Sequence, residues 1–93
     1  MPIRVGVINP AETEKVTMQV PEDVIVRDLR EAMVEQMGLP TRGQNGQRLS
    51  YHLNVRNEDG KLERLDDEVA LEENEVQEGD VLQLTVEMVA GYS

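Results

Sequence analysis

The single histidine of the chain, His52, follows Ser50 by two residues. On a β-strand that spacing turns both side chains to one face, the first requirement of a Ser–His nucleophile pair. Such a pair also needs an acid to orient the imidazole and donors for an oxyanion. The neighbouring sequence supplies neither, so His52 reads as an exposed strand histidine. The run Asn57-Glu58-Asp59-Gly60 has the residue types of a calcium loop. With Gly60 in the glycine place of such a loop, Val55 falls at the first ligand position, and valine has no side-chain oxygen to give. Asp66 would have to replace the bidentate glutamate. The run reads as a turn. Cysteine is absent, which removes disulfides, thiolate catalysis and Cys-ligated zinc. There is no glycine-rich phosphate loop, no paired histidine ligands and no Walker-type lysine. These residues predict a protein that is not an enzyme, with no metal and no organic cofactor.

Charge narrows the partners. The formal net charge is -10. Phosphate backbones repel such a chain, so nucleic acid is excluded as an expected partner, and anionic membrane surfaces are disfavoured for the same reason. Of the 19 acidic residues, 11 fall between Glu58 and Asp80. That concentration either docks a basic partner and raises its on-rate, or is a solvated face that keeps the chain soluble. Neither Phe nor Trp occurs. The core must be aliphatic, and base stacking is not available. After Met1-Pro2 no basic region or long apolar stretch follows. No signal peptide or membrane insertion is expected, and the predicted location is the cytoplasm.

The elements that must position these residues follow from periodicity. Ile3, Val5 and Val7 alternate with Arg4 and Gly6, and Val16, Met18 and Val20 alternate with Thr17 and Gln19. Two strands this close, with Asn9-Pro10 between them, predict an antiparallel hairpin with a loop longer than two residues. The period then changes. Val26, Leu29, Met33 and Met37 fall at helical spacing, ahead of Gly38 and Pro40 as stop signals. Asp23 is the residue type for an N-cap but sits early for this stripe. Leu49, Tyr51, Leu53 and Val55 predict a third strand, Leu62 and Leu65 a short fourth, and Val81 to Val86 the last. One amphipathic helix cannot bury its stripe alone. A mixed sheet folded over it would, with the first and last strands parallel and joined by a long crossover. The predicted class is α+β, a β-grasp of ββαβββ order with four to five strands on one helix.

Several stretches carry a resemblance. They are Val16–Asp23 leading into the helix, Gly38-Leu39-Pro40, Gln47-Arg48-Leu49, Leu65–Glu73, and Val76-Gln77-Glu78-Gly79-Asp80-Val81-Leu82-Gln83-Leu84. In this order and spacing the chain resembles ubiquitin-like proteins over nearly its full length, and among them the bacterial YukD-like branch and bacterial ubiquitin-like modifiers. The resemblance implies a ubiquitin-like domain over residues 1–86 and a flexible C-terminal tail over 87–93.

Two functions follow from the resemblance. In the first, the chain is a modifier. Gly91 stands where ubiquitin has its last glycine, Ala90 at the penultimate one, and Tyr92-Ser93 are surplus. A JAB-type metallopeptidase would cut between Gly91 and Tyr92. An E1-like activating enzyme would read Gly91, Ala90 and Met88, and an E2-like conjugating enzyme would pass the chain to target proteins through an isopeptide bond. A glycine terminus suits this, being slim and free of a Cβ. In the second, the chain is a non-covalent accessory of a type VII secretion system and needs no processing. Ser50 and Thr85 occupy two main places of the apolar patch that ubiquitin offers to receptors. With His52 they form the expected partner surface, polar where ubiquitin's is apolar.

Overall fold

A computed structural model describes residues 2–43 and 46–89. Its elements are β1 (Pro2–Ile8), β2 (Lys15–Pro21), α1 (Val26–Gln36), β3 (Arg48–Arg56), β4 (Leu62–Arg64), a one-turn 3-10 helix (Glu72–Asn74) and β5 (Val81–Val89). The strands form one sheet in the order β2-β1-β5-β3-β4. β1 and β5 run parallel, Gly6–Ile8 against 81–83, and every other pair is antiparallel. The α+β, ubiquitin-like β-grasp expectation holds, with five strands and the middle of the chain as the crossover.

Alternation decides which side each strand residue takes. Ile3, Val5, Val7, Val20, Tyr51, Leu53, Leu82 and Leu84 are buried on the side that faces α1. From the helix, Val26, Leu29, Met33 and Val34 meet them. The sequence stripe ended on Met37, but α1 stops at Gln36 and Met37 becomes its C-cap, only partly buried against the core. Val34, one turn from Arg30 on the β3 side, takes the fourth core place. Gly38 at φ 65° lets the chain leave the helix in the left-handed region, as its sequence position predicts.

The helix start has no side-chain cap. Ile25 is the N-cap residue in extended conformation, and Asp23 does not serve. The amides of Val26 and Arg27 instead donate to the carbonyls of Val69 and Asp67, at 3.0 Å each. A loop some forty residues away in sequence therefore satisfies donors that a local Ser or Asp would ordinarily take. The segment from Leu65 to Val76 is folded around its own side chains. Asn74 Oδ1 accepts from the Asp66 amide (2.8 Å), and its Nδ2 donates to the carbonyls of Asp66 and Ala70 (3.1 Å each). Leu65, Leu71 and Val76 anchor this acidic segment in the core.

Two boundaries differ from the sequence reading. β5 does not end at Val86 but continues through Val89, with Met88 opposite Leu49 and Val89 opposite Arg48. Residues 87–89 of the expected tail are thus paired strand. Val86, the expected last residue of the strand, is 46% exposed and lines an apolar pocket with Pro10, Leu39, Leu49 and Tyr51. Beside that pocket the Tyr51 hydroxyl donates to the Pro40 carbonyl at 2.6 Å, fixing the turn after α1. Burial raises the Tyr51 pKa above its ordinary 10.0. The folded state thus holds this proton more tightly than the unfolded chain. That contribution is complete below pH 10 and disappears as pH climbs through the raised value. Tyr51→Phe should lower stability by about 1 kcal/mol. It should also remove that part of the alkaline loss, read from urea midpoints at neutral and alkaline pH.

Candidate interaction surface

The sheet has a second face, turned away from α1. β3 presents Arg48, Ser50, His52, Asn54 and Arg56 there, by alternation with the buried Tyr51 and Leu53. Cross-strand pairing sets Glu87 opposite Ser50, Thr85 opposite His52 and Gln83 opposite Asn54. The expected partner residues Ser50, His52 and Thr85 therefore share one face and two adjacent strands. All three are half-buried.

The centre of this face is a hydrogen-bonded polar layer. Asn54 Nδ2 donates to Thr85 Oγ1 (3.0 Å) and to the Gln83 carbonyl (3.1 Å). Arg56 lies across it. Its Nη1 is 3.4 Å from Gln83 Oε1 and 3.6 Å from Glu12 Oε1 on the β1–β2 turn. Arg56 thus reaches over Gln83, which is buried together with Asn54 on the open side of the sheet. On β2, Lys15 lies over Gly6. A Cβ added at Gly6 would meet Lys15 Cε at 2.7 Å, so the glycine makes room for that aliphatic stem.

His52 has an acidic neighbour that sequence could not reveal. Glu87 Oε2 lies 3.7 Å from His52 Nε2, brought there only by the β3–β5 pairing. That distance is beyond a hydrogen bond. Among the described residues His52 Nε2 is the one buried side-chain nitrogen or oxygen without a hydrogen-bond partner. No hydrogen bond links His52 to Ser50, so the spacing that suggested a nucleophile pair does not assemble one. The conjugation residues Ala90 and Gly91 and the processing position Tyr92 lie outside the described residues. Met88 belongs to β5. No helix among the described residues is long and apolar enough to cross a membrane.

A five-stranded mixed sheet grasping one helix, with a polar open face, defines a ubiquitin-like domain. The similarity of solved structures agrees. Caldiarchaeum subterraneum ubiquitin superposes with a TM-score of 0.62 at 21% identity, over 98% of this chain and 100% of that one. The C-terminal ubiquitin-like domain of mouse tubulin-specific chaperone e gives 0.70 at 14%, over 100% and 92%. A chain of the MycP5-free ESX-5 inner membrane complex gives 0.65 at 19% identity. It matches 99% of this chain but only 22% of that chain. No curated protein sequence matches. The family is settled by its sequence profile, described as "WXG100 protein secretion system (Wss), protein YukD", which matches residues 3–84. The chain belongs to the YukD family.

Proposed function

We propose that this chain is a non-covalent interaction module of a WXG100, or type VII, secretion system, working in the cytoplasm against another protein of that system. The observation that carries this reading is the extent of the family match. It runs from residue 3 to 84, through the sheet and helix, and stops short of Met88, Ala90 and Gly91, the residues on which a modifier would depend. The ESX-5 inner membrane complex adds support, since a domain of this fold matches part of a chain of that complex. The modifier reading, with its activating, conjugating and peptidase partners, has the ubiquitin-like fold in its favour and nothing more specific.

The two readings separate in a complementation experiment. Cells lacking this chain receive the full-length form, a form without residues 90–93, or Gly91→Ala. Release of a small WXG100 substrate is followed by immunoblot, and intact-mass spectra are searched for covalent adducts. Equal secretion from all three, with no adduct, is the expected result. Loss of secretion in both altered forms, together with adducts seen only for the full-length chain, would establish the modifier instead.

A further inference from the structure

Building on the reading of this chain as an interaction module, we propose that the open face of its sheet docks an acidic protein surface. Net charge alone directs attention to basic partners. The positions of the cations say otherwise for this face. Alternation and pairing put Arg4, Lys15, Arg48, Arg56 and Arg64 on it, and the bridge between Arg42 and Arg48 adds Arg42. These are six of the nine Lys and Arg of the chain, and all six are exposed. The acid on the same face of the described strands is Glu87. Two of the three remaining cations, Arg27 and Arg30, already face Glu68 and Asp67 beside the helix.

The arrangement is a cationic rim around a middle in which Glu87 is the one charged residue of the described strands. Arg4 and Lys15 stand on the β1–β2 side, Arg42 and Arg48 at one end of β3, Arg56 and Arg64 at the other. Between them lie Thr17, Ser50, His52, Gln83 and Thr85. Among the described residues Arg56 is the one rim cation in an ion pair, with Glu12 at 3.6 Å. Five of the six are arginines, whose planar forks suit carboxylates in pairs. Rim charges of this kind set encounter rate and partner choice, while hydroxyls and amides in the middle supply hydrogen bonds. A nucleic acid would find no aromatic ring here on which to stack a base. Among the described residues of this face a lipid surface would find Ile8 and Val81, both half-buried, and one exposed large apolar side chain, Leu62, beside Arg56, too few to insert. An acidic face of a folded protein, or an acidic segment of one, uses both the rim and the middle.

The test uses the isotope-labelled full chain and a short poly-glutamate peptide, followed by amide shifts at about 50 and 300 mM salt. Saturable shifts should gather on β2, β1, β5 and β3, around Thr17, His52 and Thr85. The affinity should fall by roughly tenfold between the two salt concentrations. Arg48→Glu combined with Arg64→Glu should weaken binding by about tenfold, whereas Arg27→Glu on the helix side should leave it unchanged. All three positions are exposed, and the amide spectrum reports directly whether each variant is folded. Shifts that fail to saturate, that centre on residues 58–80, or that respond equally to Arg27→Glu would overturn the proposal. Binding to phosphatidylglycerol vesicles but not to the peptide would also overturn it, in favour of a lipid. The secretion assay reads the module role independently. Full secretion by the Arg48→Glu, Arg64→Glu chain would reject this docking face for the system while leaving the module role intact.

Discussion

Met33→Ala is expected to remove about 3 kcal/mol of stability, with a fall in Tm of roughly 10–20 °C. Met33 has no exposed surface and is among the largest fully buried side chains of the described fold. It fills the hollow between the middle of α1 and the inner face of the sheet. Alanine there leaves a void that the surrounding strands cannot close, because β1, β5 and β3 are held in register by continuous pairing. A domain of this size has about 5–14 kcal/mol to lose, so the variant stays folded at room temperature but unfolds far earlier on heating. Met37→Ala is the informative comparison. The sequence stripe treats the two methionines alike, yet Met37 is a half-exposed C-cap. Its loss should cost no more than about 1 kcal/mol. Equal effects from the two substitutions, measured by urea unfolding, would contradict the described helix position.

Asn74→Ala should cost about 2–3 kcal/mol, a large effect for a residue outside the apolar core. Three hydrogen bonds from its side chain hold the Asp66–Ala70 turn. That turn is what caps α1, through the carbonyls of Asp67 and Val69. It also positions Asp67, whose carboxylate receives Arg30 Nε and Nη2 at 3.0 and 2.9 Å and raises the Arg30 pKa further. The substitution should therefore be felt at a distance. Hydrogen exchange at the Val26 and Arg27 amides should accelerate with that of Glu68, while the β1–β2 hairpin keeps its protection. Asn74→Asp keeps the acceptor but loses both donations, and it brings a new negative charge towards two carbonyls. It should be destabilised nearly as much at neutral pH and partly recover in acid, as the new carboxylate takes up a proton and can donate again.

Much of the architecture is legible in the residue order, for reasons that are local. Period-two alternation identifies β1, β2, β3 and the first part of β5, and the change to helical spacing at Val26 places α1. Gly38 and Gly60 both take positive φ where the chain must turn. What was not legible is non-local. The cap of α1 comes from backbone carbonyls that any residue would carry, so no side-chain type signals it. The 3-10 turn at Glu72–Asn74 is too short to have a period. The last strand runs past Val86 because β3 begins as early as Arg48 and offers pairing as far as Val89. On the open face, the β3–β5 pairing sets Ser50, His52 and Thr85 side by side. Glu87 beside His52 and the gathering of six cations were invisible, since they depend on which strands become neighbours.

The place of β5 at the centre of the sheet has a bearing on how the domain assembles. That strand comes last in the order of the domain, yet β1 and β3 meet only through it. Until it pairs, the early hairpin and the later β3–β4 pair are two unjoined halves. Assembly is therefore paced by contacts distant in sequence, which wait for β5. A fragment that ends before Val81 should be cut readily by protease, and one that includes β5 should resist it.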